Sequence, residues 1–256
     1  MKIYRAYAKV NIFLKITGKR DNYHEIISRF MRVDSLYDEL SFVKKSKEDF
    51  EIIGDFSCNT KQNTIYKAYV ALREAVDSDS LDKLMSTYAV EVKKNIPAFA
   101  GLGGGSSDAA TYLKMCNEVL HLGLSQNELA KIGIKIGADV PFFIYGYNSA
   151  NVSGIGEIVE EFKEDILEFE VYTPKVEIST PKVYVSYREN FYAPIDGFET
   201  QKLKKKTSLE VLNTMSADEA NDLFKPALQE YSELKEYYKH GYYFSGSGSS
   251  FFRLVR

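Results

Sequence analysis

The stretch NIPAFAGLGGGSSDAATYL, Asn95 to Leu113, decides how this chain is read. Four glycines fall within five positions (Gly101, Gly103, Gly104, Gly105), and Ser106, Ser107 and Asp108 follow at once. The segment before it, residues 88–96, alternates like a strand. The segment after it is helical, with Leu113, Cys116 and Leu120 at core spacing. Strand, glycines, then hydroxyls opening a helix is the layout of an anion site. The first N–H groups of a helix have no internal acceptor and carry the positive end of its dipole. Glycines let the backbone close around an anion without a Cβ in the way. Ser106 and Ser107 add hydroxyls that can donate to phosphate or hold Mg²⁺. The same letters also fit a plain strand-to-helix turn with Ser106 as N-cap, although such a turn needs only one or two glycines.

Two familiar phosphate loops do not fit. The lysine of G-x-x-x-x-G-K-[ST] is absent. In a G-x-G-x-x-G reading from Gly101, position 106 is Ser, and no regular β-α-β alternation surrounds it.

Working outward, residues 4–16 alternate. Tyr4, Ala6, Ala8, Val10, Ile12, Leu14 and Ile16 share one strand face, and Arg5, Tyr7, Lys9, Asn11, Phe13 and Lys15 the other. Residues 18–25 read as a turn. Ile65, Tyr69, Leu72 and Val76 line a helix that Asn63 or Thr64 can cap. Ser125 and Glu128 form a capping box for the next helix. Residues 154–162 and 169–180 read as strands, helices dominate from Pro181, and residues 242–255 read as strand, glycine-serine turn and strand. This mixed order predicts an α+β fold rather than a doubly wound parallel sheet. A boundary near 150 predicts two domains, 1–150 and 151–256.

The 256 residues are 45% hydrophobic and 27% charged, with formal net charge −3. That is the profile of a soluble globular protein, without the basic field that recruits nucleic acid. Cys58 and Cys116 are isolated and make no metal spacing. Charges at Lys2, Arg5 and Lys9 interrupt any leader-like apolar run, and no run is long enough to span a membrane. The expectation is a cytoplasmic protein with no nucleic-acid or membrane partner. The lysine run 202–206 reads as a solvated surface stretch.

IPAFAGLGGGSSDAA (96–110) resembles the phosphate loop of the GHMP small-molecule kinases. Together with AKVNIFLKITGKRDNYHEI (8–26) and GADVPFFIYG (137–146), it resembles the branch acting on 4-diphosphocytidyl-2-C-methyl-D-erythritol. Weaker matches are GIGE (154–157), STPKVY (179–184), NDL (221–223) and SGSGSS (245–250). The resemblance spans nearly the whole chain. It implies a two-domain GHMP kinase-like α+β fold with the active site in the interdomain cleft. The domains are an N-terminal ATP-binding one and a C-terminal one. It also implies transfer of the ATP γ-phosphoryl to the 2-hydroxyl of the methylerythritol unit, in non-mevalonate isoprenoid synthesis. Mevalonate or homoserine phosphorylation is the alternative.

The resemblance assigns roles only where motifs match. Asp139 matches the catalytic aspartate and Lys9 its lysine partner. Asn63, Lys94, Pro97, Gly101, Leu102, Gly103, Gly104, Gly105, Ser106, Ser107 and Asp108 match the ATP and phosphate side. Asn11, Tyr23, His24, Asp139, Thr180, Tyr184, Gly246 and Gly248 match the acceptor side, with Tyr23, His24 and Tyr184 holding the cytosine. ATP is the expected co-substrate. Mg²⁺ is expected to arrive with it, by way of Ser107, with no protein metal cluster. The partner is a small molecule carrying a cytidine diphosphate group, and the chain is expected to act as a monomer or homodimer. The residues by themselves leave alternatives open. Lys9 and Asn11 also fit a solvated strand face. Asp139, before Val140 and Pro141, also fits a helix cap, as does Asn63. Tyr184 also fits an apolar helix face.

Overall fold

A computed structural model describes residues 2–46 and 49–255. The outer ends of the two predicted domains, residues 1 and 256, lie outside the described residues. The chain divides into two compact units. Unit one holds the chain up to Ala8, Asp34–Ala98 and Gly103–Gly146; unit two holds Lys9–Val33, Phe99–Leu102 and the chain from Tyr147.

Strands β1 (Tyr4–Arg20) and β2 (Tyr23–Lys44) form a long hairpin that runs through both units. Its turn is only Asp21 and Asn22, with Asp21 at φ +52°, so the segment 18–25 is mostly strand. A two-residue turn of this hand suits Asp and Asn.

In unit one, β3 (Ile52–Ile53) is followed by helices α1 (Thr64–Arg73) and α2 (Ser78–Thr87), then β4 (Tyr88–Lys93). Glu39–Lys44 of β2 pairs antiparallel with β4, and β3 adds in parallel. Helices α3 (Gly104–Val119), α4 (Gln126–Gly133) and α5 (Val140–Tyr145) pack with α1. Ile65, Leu72, Leu113 and Cys116 are buried, as their spacing predicts; Tyr69 and Leu120 are half-buried, and Val76 lies past the end of α1. The Ser125–Glu128 capping box is present.

In unit two, β5 (Ser149–Gly154) pairs with Ile26–Met31 of β2 and with β6 (Ile158–Glu161). Strand β7 (Phe169–Tyr172) ends just before Pro174, which lacks the N–H a ladder needs, so the longer strand predicted to residue 180 does not form. Helices α6 (Thr180–Ser186), α7 (Gly197–Lys205), α8 (Ser208–Thr214), α9 (Ala217–Ala220), α10 (Phe224–Glu230) and α11 (Leu234–Tyr237) follow. Strands β8 (Tyr243–Phe244) and β9 (Phe251–Leu254) close a second sheet in the order β7-β9-β8. Its core gathers Leu14, Ile16, Ile178, Tyr187, Phe224, Phe244 and Phe251. The α+β class stands.

The units differ from contiguous spans 1–150 and 151–256. The late break falls at Gly146–Tyr147, and Lys9–Val33 and Phe99–Leu102 group with the later chain. Hydrogen bonding explains it: β2 pairs with β5 there, and Lys9 N–H donates to Leu102 O at 3.0 Å.

Unit two also contains a wholly buried arginine. Arg29 donates to Asn151 Oδ1 (2.9 Å), Glu164 Oε1 (3.2 Å) and the carbonyls of Lys204 and Lys206 (3.1 Å each). It lies 3.3 Å over the Phe162 ring. Burial pulls its pKa down to about 10, and Glu164 opposes that fall. The lysine run 202–206 is the end of α7. Two of its carbonyls serve Arg29, while Lys202 and Lys205 stay exposed.

Candidate active site

Helix α3 begins earlier than the serines suggest. Gly103, at φ +73°, is the N-cap, and Gly104 and Gly105 open the helix. Ser106 is therefore the third helical residue and does not cap. Ser107 N–H makes the first helical bond, to Gly103 O at 2.9 Å. The N–H groups of Gly104, Gly105 and Ser106 precede any internal acceptor. A Cβ at Gly104 would meet Ile96 Cγ2 at 2.9 Å, so the Ile96 side chain, in the segment after β4, leaves no room for one at that position. Thr64 Oγ1 donates to Gly105 O at 2.6 Å. Pro97 and Gly105 are exposed, Ser106 is half-buried, and Ser107 is buried. Asn63 is buried as the N-cap of α1, its side chain accepting from Ile65 N–H at 2.9 Å.

Lys94 follows β4 and carries its ammonium to this turn, 3.7 Å from the place of a Gly104 Cβ. Two carboxylates hold it: Asp38 of β2, and Asp108 Oδ2 at 2.7 Å. Asp38 Oδ1 also accepts from the N–H groups of Asn95 (2.5 Å) and Ile96 (2.8 Å). Burial would lower the Lys94 pKa, but Asp108 and Asp38 outweigh it and the pKa rises. One ammonium does not neutralise two buried carboxylates. Burial, with Asp38 adding, pushes Asp108 up to about 7 against the pull of Lys94. Asp108 Oδ1 has no hydrogen-bond partner among the described residues. Asp38 escaped the sequence reading, because 56 residues separate it from Lys94.

Asp139 is the N-cap residue of α5, with Pro141 in the first turn, but its side chain makes no capping hydrogen bond. The helix-cap alternative thus holds for its position and not for its carboxylate.

In unit two, Lys9 and Asn11 are 3% and 2% exposed, so the solvated-face alternative fails. Lys9 Nζ donates to Asn11 Oδ1 (2.6 Å) and Gly101 O (2.9 Å), and sits 4.7 Å over the Phe30 ring. Asn11 Nδ2 donates to Ser28 Oγ at 2.9 Å. Leu102, next to Gly101 in sequence, is buried, and its carbonyl accepts from Lys9 N–H. Gly246 and Gly248 lie in the buried turn 245–250. Asn221 Nδ2 fastens that turn through Phe244 O and Gly246 O, each at 2.9 Å. The NDL letters marked Asn221 without showing this role.

His24 and Tyr184 stack, with ring centroids 5.2 Å apart and an interplanar angle of 25°. Tyr187 meets His24 edge-on at 5.7 Å, and Tyr192 lies at 6.4 Å. Neither of these two tyrosines was picked from sequence. Tyr184 is half-buried against the core, as the apolar-face alternative has it. Tyr23 is 64% exposed. Thr180 Oγ1 and Ser247 Oγ share a 2.6 Å hydrogen bond. His24 Nε2 is buried and unpartnered among the described residues. Burial, with Arg188 and Lys19 adding, lowers its pKa and favours the neutral imidazole. Among the described residues no three His, Cys, Asp or Glu side chains are placed to hold a metal ion, and no helix is long and apolar enough to cross a membrane.

The signature of the GHMP kinases N terminal domain matches residues 63–147. A 4-diphosphocytidyl-2-C-methyl-D-erythritol kinase of Sulfurimonas denitrificans is 74% identical, over 99% of this chain and 97% of the relative. One of Campylobacter jejuni subsp. doylei is 43% identical, over 98% and 100%. The crystal structure of a 4-(cytidine 5'-diphospho)-2C-methyl-D-erythritol kinase superposes with TM-score 0.74 at 29% identity, over 100% of this chain and 90% of that one. The Methanococcus jannaschii mevalonate kinase superposes at 0.60 with 15% identity, over 100% and 90%, a likeness of fold alone.

Proposed function

The chain belongs to the GHMP kinases and, within them, to the 4-diphosphocytidyl-2-C-methyl-D-erythritol kinases, and we propose how its residues divide the work of phosphoryl transfer. The reaction is ATP-dependent phosphorylation of the acceptor's 2-hydroxyl, giving the 2-phosphate and ADP. Such transfer needs positioning and charge stabilisation more than covalent chemistry.

The first turn of α3 receives the ATP phosphates on the N–H groups of Gly104, Gly105 and Ser106. The Lys94 ammonium beside that turn adds the charge that the loop's own letters lack. Mg²⁺ accompanies ATP and neutralises phosphate charge. The serine hydroxyls are the groups this turn offers it, the half-buried Ser106 more openly than the buried Ser107. Asp139 accepts or orients the proton of the attacking hydroxyl. Lys9, held by Asn11 and the Gly101 carbonyl, stabilises negative charge gathering on oxygen.

The acceptor half rests on one observation: buried His24, stacked on Tyr184, keeps Nε2 without a partner. A neutral imidazole nitrogen beside aromatic faces suits a pyrimidine base, which both stacks and hydrogen-bonds. Mevalonate and homoserine carry no base. The wider reading is a cytoplasmic enzyme with small-molecule partners, acting as monomer or homodimer, with the ATP-binding role in the N-terminal part of the chain.

The test is ADP release from MgATP with four acceptors: the cytidylyl-methylerythritol, methylerythritol 4-phosphate, mevalonate and homoserine. Turnover with the first alone is expected. Equal turnover with methylerythritol 4-phosphate would remove the base contacts from the mechanism.

A further inference from the structure

We infer that Asp38 and Asp108 are positioning residues of this kinase, holding the Lys94 ammonium at the first turn of α3. The inference rests on the reading that the ATP phosphates lie on that turn.

The two oxygens of Asp38 do different things. Oδ1 accepts from the N–H groups of Asn95 and Ile96 and so sets the direction in which the chain enters the glycines. Oδ2 takes the Lys94 ammonium. Ile96, oriented by the first contact, packs on Gly104; Lys94, oriented by the second, ends 3.7 Å from the place of a Gly104 Cβ. One wholly buried carboxylate therefore aligns both the loop entry and the cation beside it.

An ammonium at a helix N-terminus is repelled by the dipole. Left alone, a partly exposed lysine would swing toward water. Asp38 and Asp108 oppose both tendencies and leave the cation where a polyanion on the turn would meet it. Asp38 of β2 and Asp108 of α3 grip the ammonium from two elements at once and so fix its place. Burying two carboxylates around a single ammonium costs stability. Asp108 belongs to α3 and bears on the loop through Lys94, not through a ligand of its own.

The experiment compares D38N, D108N, K94M and D38N/K94M. Asparagine at 38 keeps an oxygen for the two backbone amides and changes only the atom facing Lys94. MgATP affinity is read by calorimetry without acceptor, and KM for each substrate and kcat by ADP release. D38N and D108N are each expected to weaken MgATP binding roughly 10- to 100-fold, the span for losing a charged hydrogen bond. Acceptor KM should hold. In the K94M background D38N should cause no further loss. Unchanged MgATP affinity in D38N and D108N, a D38N loss that simply adds to that of K94M, or an equal rise in acceptor KM would each overturn the inference. If D38N does not fold, D108N decides by the same affinity and KM criteria. K94M without effect on MgATP would sink the underlying reading together with this one. K94M with an effect, and neither aspartate variant with one, would sink this inference alone.

Discussion

A Cβ placed on Gly101 would lie 2.1 Å from the Ser245 carbonyl oxygen, and the Ser245 hydroxyl donates to the Gly101 carbonyl at 2.9 Å. Residues 144 apart in sequence thus meet backbone to backbone. The same Gly101 carbonyl anchors the Lys9 ammonium. The glycine does two things here: it adopts φ +72° and it leaves room for the turn at 245–250.

Gly101→Ala should therefore fail twice, through the left-handed backbone and through the clash. The expected loss is roughly 2–5 kcal/mol of stability, with activity falling as Lys9 loses its anchor. Urea unfolding and ADP release check it. A variant with the parent's midpoint and turnover would show that the contact is dispensable.

Asp139→Asn keeps the shape and removes the carboxylate proposed to accept or orient the hydroxyl's proton. Turnover should fall roughly 10²- to 10⁴-fold with little change in MgATP affinity. Single-turnover kinetics with a calorimetric titration separates the two. Parent-like turnover would take Asp139 out of the mechanism.

His24 makes stability depend on pH. Its folded pKa lies below the ordinary 6.5, so the unfolded chain binds the proton more readily. The contribution is complete above about 6.5 and is lost as pH falls through the folded value. Denaturation midpoints between pH 5 and 8 should drop on the acid side, and His24→Gln should flatten that drop. An identical profile in the variant would clear His24 of the effect.

Arg29→Met leaves Glu164 buried without its cation, although Ser149 and Ser208 still donate to it. Removing one member of a buried pair costs about 3–5 kcal/mol, so the variant should unfold at much lower denaturant. A loss under about 1 kcal/mol would mean that water or Lys204 takes over the role.

The two thiols should differ sharply. Cys58 is exposed; Cys116 is buried, and burial pushes its pKa up to about 12. A disulfide reagent should titrate one thiol in the native protein and two after denaturation. Two reactive thiols without denaturant would mean that α3 opens readily.

The sequence by itself determined what depends on near neighbours. The anion-site layout, the Ser125–Glu128 box, the α1 face and the closing strand-turn-strand all use residues a few positions apart, where periodicity and capping chemistry act directly. It also carried the α+β class and the letters of the kinase family. Even close in sequence it misjudged a boundary: α3 starts at Gly104 rather than at the serines, with Gly103 in the left-handed region as its N-cap. Only the tertiary structure decided which distant groups meet. Asp38 on Lys94, Ser245 on Gly101, Tyr187 and Tyr192 around His24, and Arg29 among the carbonyls of α7 leave no periodic trace. Lys9 and Asn11 could be told from a solvated strand face only once both were buried. A pleat puts such residues on a face, but what covers that face depends on chain that returns a hundred or more residues later, and burial and hydrogen bonding are settled there.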